Sequence, residues 1–240
     1  MSEEKTLIDD LFEGAEVGTL SETLPSRGKL YPGHTGTVTI EPMTYEDELA
    51  LAKSNSTNIV DILINRCVDK VDVSDLMPID KLFLIYKIRE CSFGSNLEME
   101  AVCPHCRTKT SLEIDLASLP VEYVDPAFDG TITLTLPKLQ KEVVLRAPKG
   151  EESLYLTSQQ SSLENLWRFV ERIDRIKHDP KMIVEAIKRL PSPDVRAMIQ
   201  ALDLSDYGIL TKARYICSNP SCEADNVVNI PITQGFFTMS

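Results

Sequence analysis

The sequence predicts an α+β fold of two similar helical lobes, each with a strand pair and a cysteine hairpin. Three features predict it. The chain has 240 residues, of which 42% are hydrophobic, enough for a core in one large domain or two small ones. Segments with helical spacing occur together with segments that alternate like strands. Two cysteine pairs, Cys103 with Cys106 and Cys217 with Cys222, each follow a predicted strand.

Residues 1–23 form a predicted acidic N-terminal arm. Residues 1–24 carry seven acidic side chains and one lysine, a net charge of −6. Four apolar side chains in the arm fall at helical spacing, namely Leu7, Ile8, Leu11 and Phe12. This stripe is either a docking helix that orders on a partner or a chain end that packs on its own domain.

The first predicted lobe covers residues 24–125. It begins with LPSRGKLYPGHTG, whose prolines and glycines predict an extended, turn-rich passage. A strand follows at 37–41, and Thr44 with Asp47 resembles a capping box that opens a helix ending near residue 53. The remaining predicted elements are helices at about 57–68 and 78–91, a terminator at Gly94, and strands at 97–102 and 107–114 around the first cysteine turn.

The second predicted lobe covers residues 126–232. A strand pair, TITLTLP and EVVLRAP, comes first. Helices are predicted at about 150–157, 161–177, 179–189 and 192–204, and strands at about 211–216 and 226–230 around the second cysteine turn. In the second of these helices Trp167 shares a face with apolar residues, which favours core packing over ligand stacking. Residues 233–240 form a predicted C-terminal tail.

The two halves resemble each other, which predicts an internal duplication. A shift of 114 residues places Asp80 on Asp194, Gly94 on Gly208 and Cys103 on Cys217 without a gap. Upstream, the order of elements matches as well, but the alignment needs a gap. An alignment with relatives across the same offset would test the duplication.

The four cysteines predict one structural zinc site. Two cysteines close together on a hairpin turn supply one edge of a tetrahedron, and two such hairpins complete the ligand shell. The pairs C-P-H-C and C-S-N-P-S-C are separated by 110 residues, so the site resembles a zinc ribbon with a domain inserted between its halves. Redox use of the first pair is the alternative, but the strand-like residues after Cys106 disfavour a thioredoxin-like helix. Four thiolate ligands leave no open position for a substrate.

Composition and motifs disfavour several functional classes. The net charge of −12 disfavours nucleic acid as the main partner. No signal peptide or membrane-spanning stretch is predicted, and the default compartment is the cytoplasm. Phosphate-binding and catalytic motifs are missing from the sequence, and its three histidines are scattered, so we expect neither an enzyme nor a small-molecule substrate.

The stretch LPSRGKLYP at 24–32, the following TVTIEPMTYEDELAL and the paired cysteine hairpins resemble the baseplate hub assembly proteins of T-even-like contractile-tailed bacteriophages, the gene-26 type. The resemblance covers most of residues 24–232. It implies a non-enzymatic protein that helps to build the hub of the tail baseplate or belongs to it. Its partners would be phage baseplate and hub proteins. It would contact them in the host cytoplasm during assembly, and also in the virion tail if the protein stays in the particle.

The resemblance transfers no active-site residues, but it implies that Leu24–Pro32 contacts a partner. Further contacts are expected from the arm and the tail. The predicted partner-binding residues are Leu7, Ile8, Leu11, Phe12, Leu24, Pro25, Arg27, Tyr31, Phe236 and Phe237.

Two other functions remain open from the sequence. A zinc-ribbon factor that binds nucleic acid or associates with transcription would use Arg107 and Lys109 beside the first cysteine turn, although basic and aromatic clustering is lacking. A tail-assembly chaperone would differ from a hub component only in leaving before maturation.

Overall fold

The computed structural model describes residues 18–31, 35–53, 59–69, 71–156, 158–177, 179–232 and 234–237. The predicted stripe Leu7, Ile8, Leu11 and Phe12 lies outside the described residues. Helices and small antiparallel sheets are mixed along the described chain, which confirms the predicted α+β class. Among these residues no helix combines the length and apolar character that crossing a membrane requires.

The first unit packs two strand pairs around three helices. Its elements are β1 (Leu20–Thr23), β2 (Thr37–Ile40), α1 (Tyr45–Lys53), α2 (Ile59–Cys67), α3 (Pro78–Phe93), β3 (Asn96–Val102), β4 (Lys109–Asp115) and the short β5 (Val121–Glu122). Strand β1 pairs antiparallel with β2, with Leu20 opposite Ile40. Residues 20–23, the last part of the predicted arm, therefore belong to a sheet.

Helix α3 is the centre of the first unit. Pro78 occupies its first turn, where a missing N–H costs nothing, and Gly94 ends it with a φ of 82°. The helix is buried on several sides, so its apolar residues contact most of the first core. Its buried Arg89 donates hydrogen bonds to the backbone carbonyls of Gly94, Asn96 and Phe236. These hydrogen bonds offset the desolvation cost of the buried guanidinium. The bond to Phe236 also links the C-terminal segment to α3.

The second unit is a four-stranded antiparallel sheet covered by helices. Its elements are β6 (Thr131–Thr135), β7 (Glu142–Arg146), α4 (Gln159–Asn165), β8 (Val170–Ile173), β9 (Ile176–Lys177), α5 (Pro180–Arg189) and α6 (Ser192–Ala201), with 3₁₀ segments at Gly150–Leu156 and Leu166–Phe169. The strand order is β6-β7-β8-β9.

The predicted helix at 161–177 is wrong after residue 169. Val170–Ile173 instead pairs with β7, and Asp174 turns the chain with a φ of 50° into β9. Val170 and Ile173 face the second core from a strand. Their spacing of three residues is therefore not a sign of a helix. The short apolar run fits either pattern, and pairing with β7 decides between them.

The C-terminal elements return to the first unit. They are β10 (Gly208–Ile209), β11 (Lys212–Ile216), β12 (Asp225–Asn229) and a 3₁₀ turn at Gln234–Phe237. Strand β10 pairs with β5, and Ile209, Ile230, Phe236 and Phe237 belong to the first core. The second core is drawn from residues between Ile132 and Leu202. The segment after the second cysteine hairpin therefore packs with the first unit, and the lobe boundary at 125/126 stays a prediction.

A buried aspartate near the start of a helix holds a strand-connecting loop in each unit. Asp80 on α3 accepts a hydrogen bond from the Ser26 N–H at 2.9 Å, and Asp194 on α6 accepts bonds from the N–H groups of Lys138 and Leu139 at 2.6 and 3.0 Å. Both carboxylates have 0% exposure. This parallel agrees with the aligned Asp80 and Asp194, but the duplication itself stays a prediction.

Candidate metal centre

The first cysteine turn is closed by the register of its hairpin. Val102 pairs with Lys109, and the backbone N–H groups of Cys103 and Arg107 bond to the carbonyls of Thr108 and Cys103, both at 2.9 Å. Arg107, directly after the second cysteine, has a φ of 61°. This left-handed residue reverses the chain, so both cysteines of the pair lie at the tip of the hairpin.

The second turn has the same plan despite its wider spacing. Ile216 pairs with Asp225, and the Cys217 N–H bonds to the Ala224 carbonyl at 3.0 Å. The extra residues fold around Asn219, whose carbonyl accepts the N–H groups of Cys222 and Glu223 at 2.9 and 3.0 Å. Glu223, again directly after the second cysteine, has a φ of 44°. The two hairpins therefore present their sulfurs in equivalent ways.

The two hairpins bring all four sulfurs together, as the sequence predicts. The Sγ atoms of Cys103, Cys106, Cys217 and Cys222 all lie within 4.8 Å of one another. Sγ of Cys103 is 3.9 Å from that of Cys222, and Sγ of Cys106 is 3.5 Å from that of Cys217. A tetrahedral zinc ion with Zn–S bonds of about 2.3 Å requires S···S separations of about 3.8 Å. The spacing suits a tetrahedral thiolate site and is too long for a disulfide of about 2.05 Å.

Neighbouring polar side chains surround the sulfurs. Thr108 Oγ1 is 3.3 Å from Cys106 Sγ, and Asn226 Nδ2 donates to Cys103 Sγ at 3.7 Å. Ser218 and Thr110 join the two hairpins through their hydroxyls, 3.1 Å apart. Groups that hydrogen-bond to thiolate ligands orient them and stabilise their negative charge. These polar residues were not predicted as part of the site, because no spacing rule links Thr108, Thr110, Ser218 or Asn226 to the cysteines.

The same environment shifts the cysteine pKa values in opposite directions. Contacts with the side chain and backbone of Thr108 lower the pKa of Cys106 to about 6. The Asn219 N–H lowers the pKa of Cys217, but desolvation and bonds with the other thiols outweigh it and raise this pKa to about 12. Four thiolates this close together repel one another, and a dication removes that repulsion by binding them all. The donor set therefore fits a soft divalent cation such as zinc.

The remaining cysteines and His105 do not join this group. Cys67 is 2% exposed and packs in the first core, where burial raises its pKa to about 12. Cys91 is half-buried, and its Sγ lies 3.3 Å from the Gly18 carbonyl oxygen. His105 is exposed at the tip of the first turn. Cys103 and Cys217 are buried, and the protein offers four sulfur donors, so the arrangement could hold a metal ion in the way that is typical of a structural site.

Several predicted partner-binding residues are buried in the first core. Leu24, Tyr31, Phe236 and Phe237 are 0%, 8%, 2% and 6% exposed, and Pro25 is buried beside Leu24. The Tyr31 hydroxyl donates to Asp80 and accepts the Met77 N–H at 2.7 Å. These side chains are therefore part of the core in the single chain, and the contacts expected of them stay a prediction.

Arg27 differs from its neighbours in the same passage. It is half-buried, its Nε donates to the Val124 carbonyl at 3.1 Å, and its guanidinium lies 5.1 Å from the centroid of the Tyr123 ring. The segment is therefore chiefly an anchored loop, with Arg27 and the exposed Lys29 as its accessible cations.

Comparison with known proteins provides one match. The model of a family described as T4 bacteriophage base plate protein matches residues 18–238. No curated protein and no solved structure matches the chain.

Proposed function

The chain belongs to the T4 bacteriophage base plate protein family, and from this premise we propose that it is a non-enzymatic structural or assembly protein of the baseplate hub. It acts through protein–protein contacts in the host cytoplasm during assembly and in the tail baseplate of the virion. Its partners are other baseplate and hub proteins. Nucleic acid, membrane and small-molecule substrates have no part in this function.

The family match over residues 18–238 carries this proposal, and the convergence of four sulfurs from hairpins 110 residues apart supports its structural character. A zinc ion bound there fixes β3–β4 against β11–β12, and so closes the long segment between them into a loop. Cross-links of this kind stabilise a fold by restricting the unfolded chain, and bound metal adds its own binding free energy. A structural protein benefits from such rigidity.

Metal analysis tests the zinc site. We expect one zinc ion per chain in protein purified without added metal, and loss of that metal in Cys103→Ser and Cys222→Ser. The matched control is Cys91→Ser, which removes a thiol outside the group and should keep the metal. A native protein without metal, whose four thiols all react freely with a thiol reagent, would contradict the site.

Assembly in infected cells tests the hub function. We propose that the acidic arm contacts a protein partner, and deletion of residues 1–17 leaves β1 intact because that strand begins at Leu20. We expect the truncated chain to stay folded and to give fewer baseplates. The tagged full-length chain should capture baseplate proteins. An unchanged baseplate yield would count against a role of the arm in assembly.

A further inference from the structure

A groove lies in the second unit, beside the single tryptophan of the chain. It has a volume of about 380 Å³ and is lined by Trp167, Pro180, Lys181, Val184, Glu185 and Lys188. Four of these residues occur at positions i, i+3, i+4 and i+7 of α5, so they share one helix face. Trp167 and Val184 are half-buried at the groove, whereas both lysines are exposed.

The groove is positively charged. Glu185 is paired with Arg189, with Nη2 and Oε1 2.7 Å apart, so its charge is partly compensated. Lys181 and Lys188 have no ion pair with any of the described residues. The Arg168 guanidinium adds a third cation, 4.8 Å from the centroid of the Trp167 ring. An apolar floor between unpaired lysines suits a ligand with an apolar stripe and acidic flanks.

The whole second unit has a net positive charge, whereas the rest of the chain has a net negative charge. Residues 131–202 contain twelve Lys and Arg and nine Asp and Glu, a net charge of +3. The complete chain carries −12, so the remaining residues carry −15. Acidic segments of the same protein are therefore attracted to this unit at low ionic strength.

The N-terminal seventeen residues have the complementary chemistry. They contain six acidic side chains and one lysine, a net charge of −5, around the stripe Leu7, Ile8, Leu11 and Phe12. At 1.5 Å per residue a helical stripe from Leu7 to Phe12 would be about 8 Å long. Lys181 and Lys188 are seven residues apart on α5, about 10 Å. A helical stripe of this length therefore fits between the two lysines, over the apolar floor of the groove.

We propose that the groove formed by Trp167, Val184 and the lysines of α5 binds the acidic N-terminal segment, residues 1–17, of this chain. The inference rests on the proposed function, in which the arm makes a protein contact, and it identifies the receiving surface. Leu7, Ile8, Leu11 and Phe12 cover the apolar floor. The arm's carboxylates pair with Lys181 and Lys188.

Because Trp167 is the only tryptophan, its fluorescence reports directly on the groove. The probe is a synthetic peptide of residues 1–17, titrated into a chain truncated to residues 18–240. We expect a saturable change in Trp167 emission that weakens as salt is added. The pair Lys181→Glu with Lys188→Glu should weaken peptide binding at least tenfold. A matched pair, Lys138→Glu with Lys212→Glu, makes the same charge change at exposed lysines outside the groove and should weaken it far less.

A peptide carrying Leu11→Ser and Phe12→Ser keeps all its charges and should lose binding, a result that does not depend on the folding of any protein variant. Sedimentation of the full-length chain then distinguishes an arm bound within one chain from an arm bound to a second copy.

The proposal is overturned if the peptide neither changes Trp167 emission nor co-sediments with the truncated chain. It is also overturned if the two pairs of Lys→Glu substitutions weaken peptide binding equally. Normal baseplate yield from a truncated chain that still binds the peptide would instead overturn the arm's role in assembly alone.

Discussion

Asp47 shows how one buried carboxylate fixes the start of a helix and its contact with the next. Its Oδ2 accepts hydrogen bonds from the N–H and the hydroxyl of Thr44, both at 2.7 Å, and its Oδ1 accepts from Arg66 on α2. Burial raises the pKa of Asp47, but the bonds from Arg66 and Thr44 outweigh it and hold the pKa below its ordinary 3.8. The charged form is therefore the one that stabilises the fold.

Replacing Asp47 with Asn should lower the free energy of unfolding by about 1–2 kcal/mol at pH 7. A depressed carboxyl pKa gives stability that is present above the unfolded pKa and is lost as pH falls through the folded one. The difference between Asp47→Asn and the natural chain should therefore shrink below about pH 3.8. Urea unfolding at pH 7 and pH 3 measures it.

Glu100→Gln is the control for Asp47→Asn, because Glu100 is 58% exposed and paired with the exposed Lys109. A surface pair of this kind should change stability by less than about 1 kcal/mol. Equal losses for the two variants at pH 7 would show that Asp47 has no special role.

At the scale of elements, helix starts hold the loops that join neighbouring strands. Asp194 near the start of α6 accepts two backbone N–H groups from the turn between β6 and β7. Gln140 in that turn has a φ of 54°, so the chain reverses tightly there. A carboxylate near a helix N-terminus is also favoured by the helix dipole. The helix and hairpin therefore support each other.

Removal of this carboxylate should be costly. Asp194→Ala removes the buried acceptor of two N–H groups in a partly buried turn, and we expect a loss of about 1–3 kcal/mol in the free energy of unfolding. The control is Asp203→Ala, which removes an exposed carboxylate that accepts the local Ser205 N–H. Chemical denaturation compares them, and a loss below about 1 kcal/mol for Asp194→Ala would contradict this role.

At the scale of the whole molecule, the second unit is inserted between the two cysteine hairpins. The connection after β7 meets the first unit at Gly150, whose N–H bonds to the Leu76 carbonyl at 2.8 Å. The chain then returns through β10, which pairs with β5. The two units are therefore joined at several separate points along the chain.

Gly150→Ala should disturb the junction. A Cβ at this position would lie 1.5 Å from the Ser74 carbonyl oxygen, so the backbone would have to move. We expect a lower melting temperature and faster proteolysis between the units. Gly18→Ala is the control, because a Cβ there meets nothing within 4 Å. Equal melting temperatures for the two variants would show that the junction adapts without cost.

The sequence by itself determined the local elements around the site. Alternation around C-P-H-C and C-S-N-P-S-C predicted both hairpins, and helical spacing predicted α1, α2, α3, α5 and α6 within a few residues. These features depend on neighbours a few positions away, so the pattern of side chains is enough to predict them. The convergence of the cysteines was also predictable, because four thiols in two hairpins match one known ligand geometry.

Only the tertiary structure decided which surfaces are buried and how the chain divides. Tyr31 and Phe236 suit an exposed contact or a core equally well by sequence, and packing against Asp80 and α3 places them inside. Val170–Ile173 became a strand because β7 offers it backbone partners. Burial and strand pairing join residues far apart in the chain, and their free energy depends on the whole fold rather than on any local pattern.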